Sequence, residues 1–414
     1  MNILKIKNRK EVLSWCLYDF ANQPFTTIIV TFLYGAFFVD TIAENNNIGT
    51  TLWTFAISST AIIVSLLSPI LGAIADNGGY RKYFLIFFTY SAVFFTLLLY
   101  LPQEGDVLLA LLFFIIANIS FELGTVFCNS YLPDISDNIS IGTISGFSWG
   151  LGFFGGLLAF LTAFFLFPDL DVNSHSVRKI NLFVGVWFLI FSIPTFLFLK
   201  DKKRIKFNYL LFRDSITSIR STFRDISNYK TIFNFLLARI FYNDALVTIF
   251  ALGGIYAVGT LEFSLLEVMQ LGIVLNLSAA IGSWIFGVVE DKIGVKKVIN
   301  LTLIVLIIST LLAIIAPETN FPKQLFWIAG ILIGFMVGPN QSSSRSLMSR
   351  LTPKEKVNEF FGFYAFAGKA TSFLGPFLFG LITSLFNQQI ALWVVVLLFL
   401  IGLILFQRIK FDFK

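Results

Sequence analysis

The chain reads as twelve long apolar runs separated by short polar or basic interruptions. The runs lie at about 14–39, 51–75, 83–101, 107–132, 143–167, 181–199, 231–258, 266–289, 298–316, 324–348, 358–386 and 389–407. Each is close to, or above, the roughly 20 residues that a helix needs to cross a bilayer. The pattern predicts an all-α integral membrane protein of twelve transmembrane helices, numbered here as spans 1 to 12. The basic start (Lys5, Lys7, Arg9, Lys10) leads into a run too long and too polar for a cleaved signal peptide, so span 1 is expected to stay.

Composition agrees with this reading. Of 414 residues, 57% are hydrophobic and 13% charged, whereas twelve spans of about 20 residues would consume about 240. That excludes a disordered chain, a nucleic-acid-binding domain and a secreted disulfide scaffold. The net charge of +6 is therefore a question of topology, and no nucleic-acid partner is expected. Cys16 and Cys128 fall in apolar runs and read as small buried residues. His175, the single histidine, has no second ligand near it in sequence, so neither a metal nor a cofactor is expected.

Lysine and arginine set the expected orientation. The two ends and the loops after even-numbered spans hold 25 of them, with Arg345 counted at the end of span 10, against 3 in the loops after odd-numbered spans. Both termini should therefore be cytosolic. The segment Pro133 to Gly142 dissents, carrying Asp134 and Asp137 without a basic residue, but acidic residues weigh little in this rule.

The longest interruption, 200–230, divides the chain into residues 1–199, a linker, and 231–414. It opens with Lys200, Lys202, Lys203, Arg204 and Lys206; Phe212, Ile216, Ile219, Phe223 and Ile226 then recur at spacings of three and four. With Arg213, Arg220 and Arg224 off that stripe, the linker reads either as an amphipathic helix on an anionic cytosolic leaflet or as a solvated helix covering the bundle.

The two halves repeat. Gly72-Ala-Ile-Ala-Asp76-Asn-Gly-Gly79-Tyr-Arg81-Lys82 follows span 2, and Gly287-Val-Val-Glu-Asp291-Lys-Ile-Gly294-Val-Lys296-Lys297 follows span 8, in register 215 positions apart. Gly146-Phe-Ser148 and Gly152 of span 5 match Gly362-Phe-Tyr364 and Gly368 of span 11 at 216. Gly35 and Val39 match Gly254 and Val258 at 219. The sequence thus describes two six-helix halves in parallel orientation, related by pseudo-symmetry.

The repeated loop resembles the cytosolic loop motif of the major facilitator superfamily. Within that superfamily the chain is similar to the vacuole effluxer family, whose eukaryotic members are autophagy-related amino-acid exporters. The finer likeness rests on Trp15-Cys-Leu-Tyr18-Asp19-Phe-Ala-Asn22, on Tyr131-Leu-Pro133-Asp134, and on a stretch from Gly338-Pro-Asn-Gln341-Ser-Ser-Ser-Arg345-Ser346 through Pro353, Glu359-Phe-Phe-Gly362-Phe-Tyr364 and Gly368-Lys369 to Gly375-Pro376. Lys296 and Lys297 depart from the Arg81-Lys82 of the first copy, keeping charge without arginine's planar fork. The resemblance implies the major facilitator fold, with spans 1, 4, 7 and 10 lining a central cavity.

The loop motif suits a gate made of Gly72, Asp76, Gly79, Arg81, Lys82, Gly287, Asp291, Gly294, Lys296 and Lys297. The glycines at 72 and 287 allow close helix approach. Asp76 and Asp291 follow helix C-termini, where an anion needs an answering cation or helix start. Contacts from these acids to basic residues or helix N-termini across the halves would close the cytosolic side. The alternative is that the basic residues serve topology alone.

Asp19, Glu122, Arg239, Asp244 and Lys369 read as charges inside spans, each costly unless paired or wetted. Span 1 adds Asn22, Gln23 and Pro24, span 7 Tyr242-Asn243-Asp244, and span 10 Asn340-Gln341. Amides beside a helix broken at proline suit a substrate or ion site, or else inter-helix hydrogen bonds. Glu122 and Asp244 are candidate proton carriers, with structural pairing to Arg239 or Lys369 as the alternative. Gly362 to Lys369 fails the phosphate-loop spacing, so no nucleotide is expected.

The expected function is secondary active transport of a small polar solute by alternating access, with amino acids implied by the resemblance and a proton as candidate coupling ion. The competing reading is a transport-inactive receptor or scaffold. No acid, base or nucleophile constellation suggests an enzyme. A monomer in a bacterial inner membrane is expected, with a vacuolar membrane as the alternative.

Overall fold

The computed structural model describes residues 8–43, 45–167, 175–201 and 204–411. Lys5, Lys7, Lys202 and Lys203 lie outside the described residues, as does the side chain of His175. Within the described residues the chain is helical throughout. Among the described residues, twelve helical stretches are long and apolar enough to cross a bilayer: Arg9–Ile42, Asn47–Gly78, Arg81–Leu98, Val107–Ile135, Ile141–Leu166, Ser176–Phe198, Ile226–Leu261, Leu266–Ile293, Val295–Glu318, Pro322–Leu351, Val357–Leu385 and Gln388–Gln407. They occupy the places of spans 1 to 12.

These helices form two compact units. One comprises 1–136, 151–217 and 354–362; the other comprises 137–150, 218–353 and 363–414. The units are not simply the two sequence halves. The start of span 5 packs in the unit of the second half, and the start of span 11 in the unit of the first.

Inside each unit, apolar burial alone cannot select neighbours, because lipid is as apolar as leucine; small residues and directed hydrogen bonds do so. In the first unit Trp15 donates to the Cys128 carbonyl at 2.7 Å, and Tyr18 and Thr89 share a hydroxyl hydrogen bond at 2.8 Å. Both aromatic side chains are fully buried, as are Cys16 and Cys128. In the second unit Tyr256 donates to the Ala313 carbonyl at 2.9 Å.

Three irregularities bear on function. Pro24 ends the regular α-helix of span 1, and beyond it the chain continues through wide turns over Phe25–Phe32 and Phe38–Ile42, with Leu33 N–H bonded five residues back to Ile28 O. The proline thus rewinds span 1 without severing it. Pro339 lies inside the uninterrupted helix Pro322–Leu351. Span 11, by contrast, is not the continuous helix expected over 358–386. It stops at Lys369 and restarts at Leu374. Pro376 supplies the reason: it has no N–H for the Ser372 carbonyl, and its ring would strike that carbonyl in a continuous helix. Restarting at Leu374 puts the proline in a first turn, where no intrahelical N–H is needed.

The linker forms a helix over Tyr209–Arg224. Its buried residues are Leu211, Ser215 and Thr222, not the apolar stripe that the sequence emphasises.

Candidate functional site

The first copy of the loop motif ends span 2. Gly79 takes φ 68°, a left-handed turn that glycine enters without strain, and its N–H closes on the Ala75 carbonyl. This turn leaves Asp76 facing the start of span 11. Its Oδ1 accepts from the Asn358 backbone at 3.1 Å and from Asn358 Nδ2 at 2.7 Å, while Oδ2 accepts from the Glu359 backbone at 2.8 Å. A helix start exposes N–H groups and partial positive charge, so a carboxylate there is a charge-assisted cap. Gly72 makes the approach possible, because a Cβ on it would collide with the Asn358 carbonyl; Gly362 likewise presses on Ser68.

The second copy ends span 8 and repeats the geometry on span 5. Asp291 Oδ1 accepts from Gly142 N–H at 2.9 Å, and Oδ2 from Thr143 N–H at 2.8 Å and its hydroxyl at 2.5 Å. Gly287 and Gly146 lie against each other's backbones. Asn358 and Glu359 are the 216-position equivalents of Gly142 and Thr143, so both carboxylate caps obey the sequence repeat.

The basic residues of the motif have separate tasks. Arg81 is buried; it donates to Asp134 Oδ2 at 2.6 Å and to the Ser130 carbonyl at 3.0 Å, and lies over the Tyr131 ring. Lys82 Nζ caps the end of span 6 at the Leu199 carbonyl, 2.6 Å away. In the second unit it is Lys296 that caps a helix end, reaching the Gln407 and Ile409 carbonyls of span 12 at 3.1 and 2.6 Å. Lys297 is exposed. Nearby, Asp137 accepts from the hydroxyl and N–H of Ser140 and the N–H of Ile139, which hold its carboxyl below the usual carboxylate range.

Two residues beside Asp291 give the second copy a feature that the first lacks. Glu290, in the register position of Ala75, is fully buried and accepts from the Ser346 hydroxyl. Arg350, in the register position of Asp134, lies 3.5 Å from both Glu290 Oε1 and Asp291 Oδ1, and donates to the Asn138 carbonyl at 2.7 Å. The second copy thus has an acid where the first has the neutral Ala75, and a cation where the first has Asp134.

Within the second unit, three polar residues of span 7 converge on the interrupted span 11. Arg239 Nη1 donates to the Tyr364 carbonyl at 3.0 Å, its guanidinium lying 3.7 Å above the Tyr364 ring and against Gly368. Asn243 Nδ2 donates to the Gly368 carbonyl at 3.0 Å and accepts from Gln341 Nε2 at 3.2 Å. Asp244 Oδ2 accepts from Gly375 N–H at 3.0 Å, capping the helix piece that begins at Leu374, while its Oδ1 makes no hydrogen bond. Lys369 is half-buried at the end of the first piece. Gly362 to Lys369 is helix throughout.

Not every polar residue singled out in the sequence opens onto this place. Tyr242 bonds Ser344 at 2.8 Å and Asn340 bonds Thr302 at 3.0 Å; both are fully buried ties between helices. Arg239 is likewise engaged with span 11. In the first unit Asp19 is half-buried with Gly152 packed on it, and Gln23 lies beside Gly156. Asn22 is buried, and Glu122 is half-buried on span 4. Gly152 and Gly368, equivalent at 216 positions, thus pack on Asp19 and Arg239, which stand one residue apart in the 219-position register of spans 1 and 7.

The sequence reading missed Glu290, Asn358, Glu359, Arg345 and Arg350 as participants. Arg345 is no loop residue: it is 2% exposed inside span 10 and donates to the Ser145 hydroxyl and carbonyl at 3.1 and 2.9 Å. Its signal was present, since it stands in a serine-rich stretch flanked by apolar helix.

Comparison with known proteins agrees with this architecture. The family described as "Vacuole effluxer Atg22 like" matches residues 44–412. The chain is 29% identical over 409 residues to the uncharacterized MFS-type transporter YxiO of Bacillus subtilis, covering 96% of this chain and 94% of the relative. It is 24% identical to autophagy-related protein 22 of Pichia angusta, covering 88% and 75%. Among solved structures, the human organic anion transporter MFSD10 (TETRAN) superposes with a TM-score of 0.76 at 15% identity, covering 97% and 100%. The proton:xylose symporter XylE superposes with 0.74 at 15%, covering 97% of each chain. At these identities the structures speak for the fold alone.

Proposed function

Since the chain belongs to the Atg22-like vacuole effluxer family of the major facilitator superfamily, and is therefore a multi-pass membrane transporter and not an enzyme, we propose that it moves amino acids by alternating access, driven by a proton gradient. The observation that carries alternating access is the matched pair of caps, Asp76 on Asn358 and Glu359, and Asp291 on Gly142 and Thr143. Each consists of a few directional hydrogen bonds at a helix start with glycines at the contact. Such a cap can be made and broken without repacking a core, which a cyclic gate requires.

The substrate reading rests on the residues around the interruption in span 11. Asp244 keeps one carboxylate oxygen without a hydrogen bond and suits a substrate ammonium. Lys369 suits its carboxylate, and Asn243 and Gln341 supply amides. Asp19, Asn22 and Gln23 are the counterparts proposed in span 1. Arg239, Tyr242 and Asn340, committed to helix–helix contacts, leave the proposed substrate set. Asp244 and Glu122 are the proposed proton carriers. The orientation proposed is cytosolic termini, in a bacterial inner membrane, with the chain acting as a monomer.

The test is efflux from proteoliposomes preloaded with the common amino acids, read by mass spectrometry with and without a proton gradient. Selective, gradient-accelerated loss that Asp244→Asn abolishes is the expected result. Loss indifferent to the gradient removes the proton. No loss above empty liposomes, from folded protein, removes amino acids and brings a receptor or scaffold role forward.

A further inference from the structure

The linker helix Tyr209–Arg224 has a face that packs on the protein and a different face that is apolar. At about 100° per residue, the buried Leu211, Ser215 and Thr222 fall within a narrow sector. Phe212, Ile216, Ile219 and Phe223 centre about a quarter-turn away, and Arg213, Arg220 and Arg224 about a further quarter-turn on. Packing on the protein therefore leaves the apolar stripe partly uncovered: Phe212 is 42% and Phe223 54% exposed, although Phe223 also meets the Phe233 and Phe363 rings. Ile216 and Ile219 are half-buried.

The attachment fixes the depth of this helix. Leu211 packs on Gly78, the last residue of span 2, and Asn77 Nδ2 reaches Ser215 Oγ at 3.3 Å. Just before the helix, Ile205 N–H bonds the Gly78 carbonyl at 2.9 Å, and Arg204 lies over the rings of Tyr80 and Tyr83. The helix thus sits level with the end of one membrane span and the start of the next, where lipid headgroups lie.

We propose that this helix is a docking surface for anionic phospholipid. Phe212, Ile216, Ile219 and the exposed edge of Phe223 enter the acyl boundary, and Arg213, Arg220 and Arg224 meet headgroup phosphates. Order around the helix selects this occupant: protein, then apolar stripe, then arginines is the sequence of environments met on passing from a membrane protein through the hydrocarbon edge to the headgroups. A second copy placed on the same face would set arginine against arginine. Arg213 lies 3.9 Å from Asp214 and Arg224 3.3 Å from Asp225, but exposed pairs of this kind are weak, and three arginines against two aspartates leave the segment basic. Each arginine near an anionic surface adds to the attraction, which salt screens.

The full chain, with Cys16→Ser and Cys128→Ser, is labelled with an environment-sensitive fluorophore at Phe212→Cys or, on the far side of the helix, at Thr217→Cys. It is reconstituted in vesicles of phosphatidylglycerol with phosphatidylcholine, or of phosphatidylcholine alone. The expected result in anionic vesicles is quenching at 212 by nitroxide-bearing lipid and several-fold weaker quenching there by iodide, with the reverse at 217. Arg213→Gln with Arg220→Gln and Arg224→Gln should raise iodide quenching at 212 to its level in the neutral vesicles. Equal iodide quenching at 212 and 217 would overturn the proposal in favour of a solvated helix. Protection at 212 from both quenchers would overturn it in favour of a protein cover, and identical behaviour in the two vesicle types would remove the anionic lipid. If the label at 212 prevents folding, Ile219→Cys on the same stripe replaces it. No readout depends on transport.

Discussion

Asp244 of span 7 accepts the backbone N–H of Gly375 in span 11, at 3.0 Å. A carboxylate on one helix thereby caps a second helix that restarts in mid-span, giving the Gly375 N–H of that restart a partner. Asn243 and Arg239 hold the piece before the interruption by its carbonyls, so one face of span 7 grips both sides of the break.

Asp244→Asn keeps an oxygen that can accept the Gly375 N–H but removes the charge, whereas Asp244→Ala leaves the N–H bare. The alanine variant should lose about 1–3 kcal/mol of stability and the asparagine variant less, while both lose transport. Thermal unfolding in detergent beside proteoliposome flux separates the two effects. Equal stability of all three proteins would show that the cap carries no weight.

Asp76→Ala and Asp291→Ala each remove a charge-assisted cap from a helix start, worth about 1.5–3 kcal/mol. Amide hydrogen exchange should accelerate by roughly tenfold to a hundredfold around residues 357–360 in the first variant and 141–144 in the second. Each effect should stay at its own cap. Unchanged exchange in either would refute the cap at that site.

Gly72→Ala should be severe, since its Cβ collides with the Asn358 carbonyl, and backbone cannot yield as a flexible side chain can. Gly253→Ala, with open space around its Cβ, should be neutral or gain roughly 0.5–1 kcal/mol from helix propensity. Expression and melting temperature of the pair decide whether the close approach at Gly72 is required.

Arg350→Ala leaves the buried Glu290 without its cation and should cost about 3–5 kcal/mol. Combining it with Glu290→Gln should recover a large part of that loss, giving a coupling energy that a double-mutant cycle measures. Additive losses would mean that the 3.5 Å approach contributes nothing.

The hydrogen bonds from Ser140 and Ile139 that lower the Asp137 pKa stabilise the ionised carboxylate in the folded state. Their contribution is therefore present above the unfolded pKa, and is lost as pH falls through the folded value. Asp137 is exposed, so the effect should be a few tenths of a kcal/mol at most. Asp137→Asn should lower stability slightly near neutrality and not at all in strong acid, as followed by unfolding across a pH series.

Sequence alone determined the twelve spans, the twofold repeat and both loop motifs, down to the glycines that turn at 79 and 294. The physical reason is that these features are local. A run of apolar residues commits a segment to the bilayer whatever surrounds it, and a left-handed turn demands glycine at its own position. Pro376 even carried the cause of the interruption in span 11, yet Pro339 inside an unbroken helix shows that proline alone does not decide the outcome; for span 11, a partner such as Asp244, 131 positions away, answers the freed N–H. Only the tertiary structure decided which polar groups meet. It committed Arg239, Tyr242 and Asn340 to helix contacts, brought Arg350 to Glu290 and Asp291, and turned Leu211 and Ser215 of the linker, not Phe212, toward the protein. These outcomes depend on directional hydrogen bonds and close backbone approaches between helices remote in sequence. Such geometry is set by packing, and hydrophobic periodicity cannot express it.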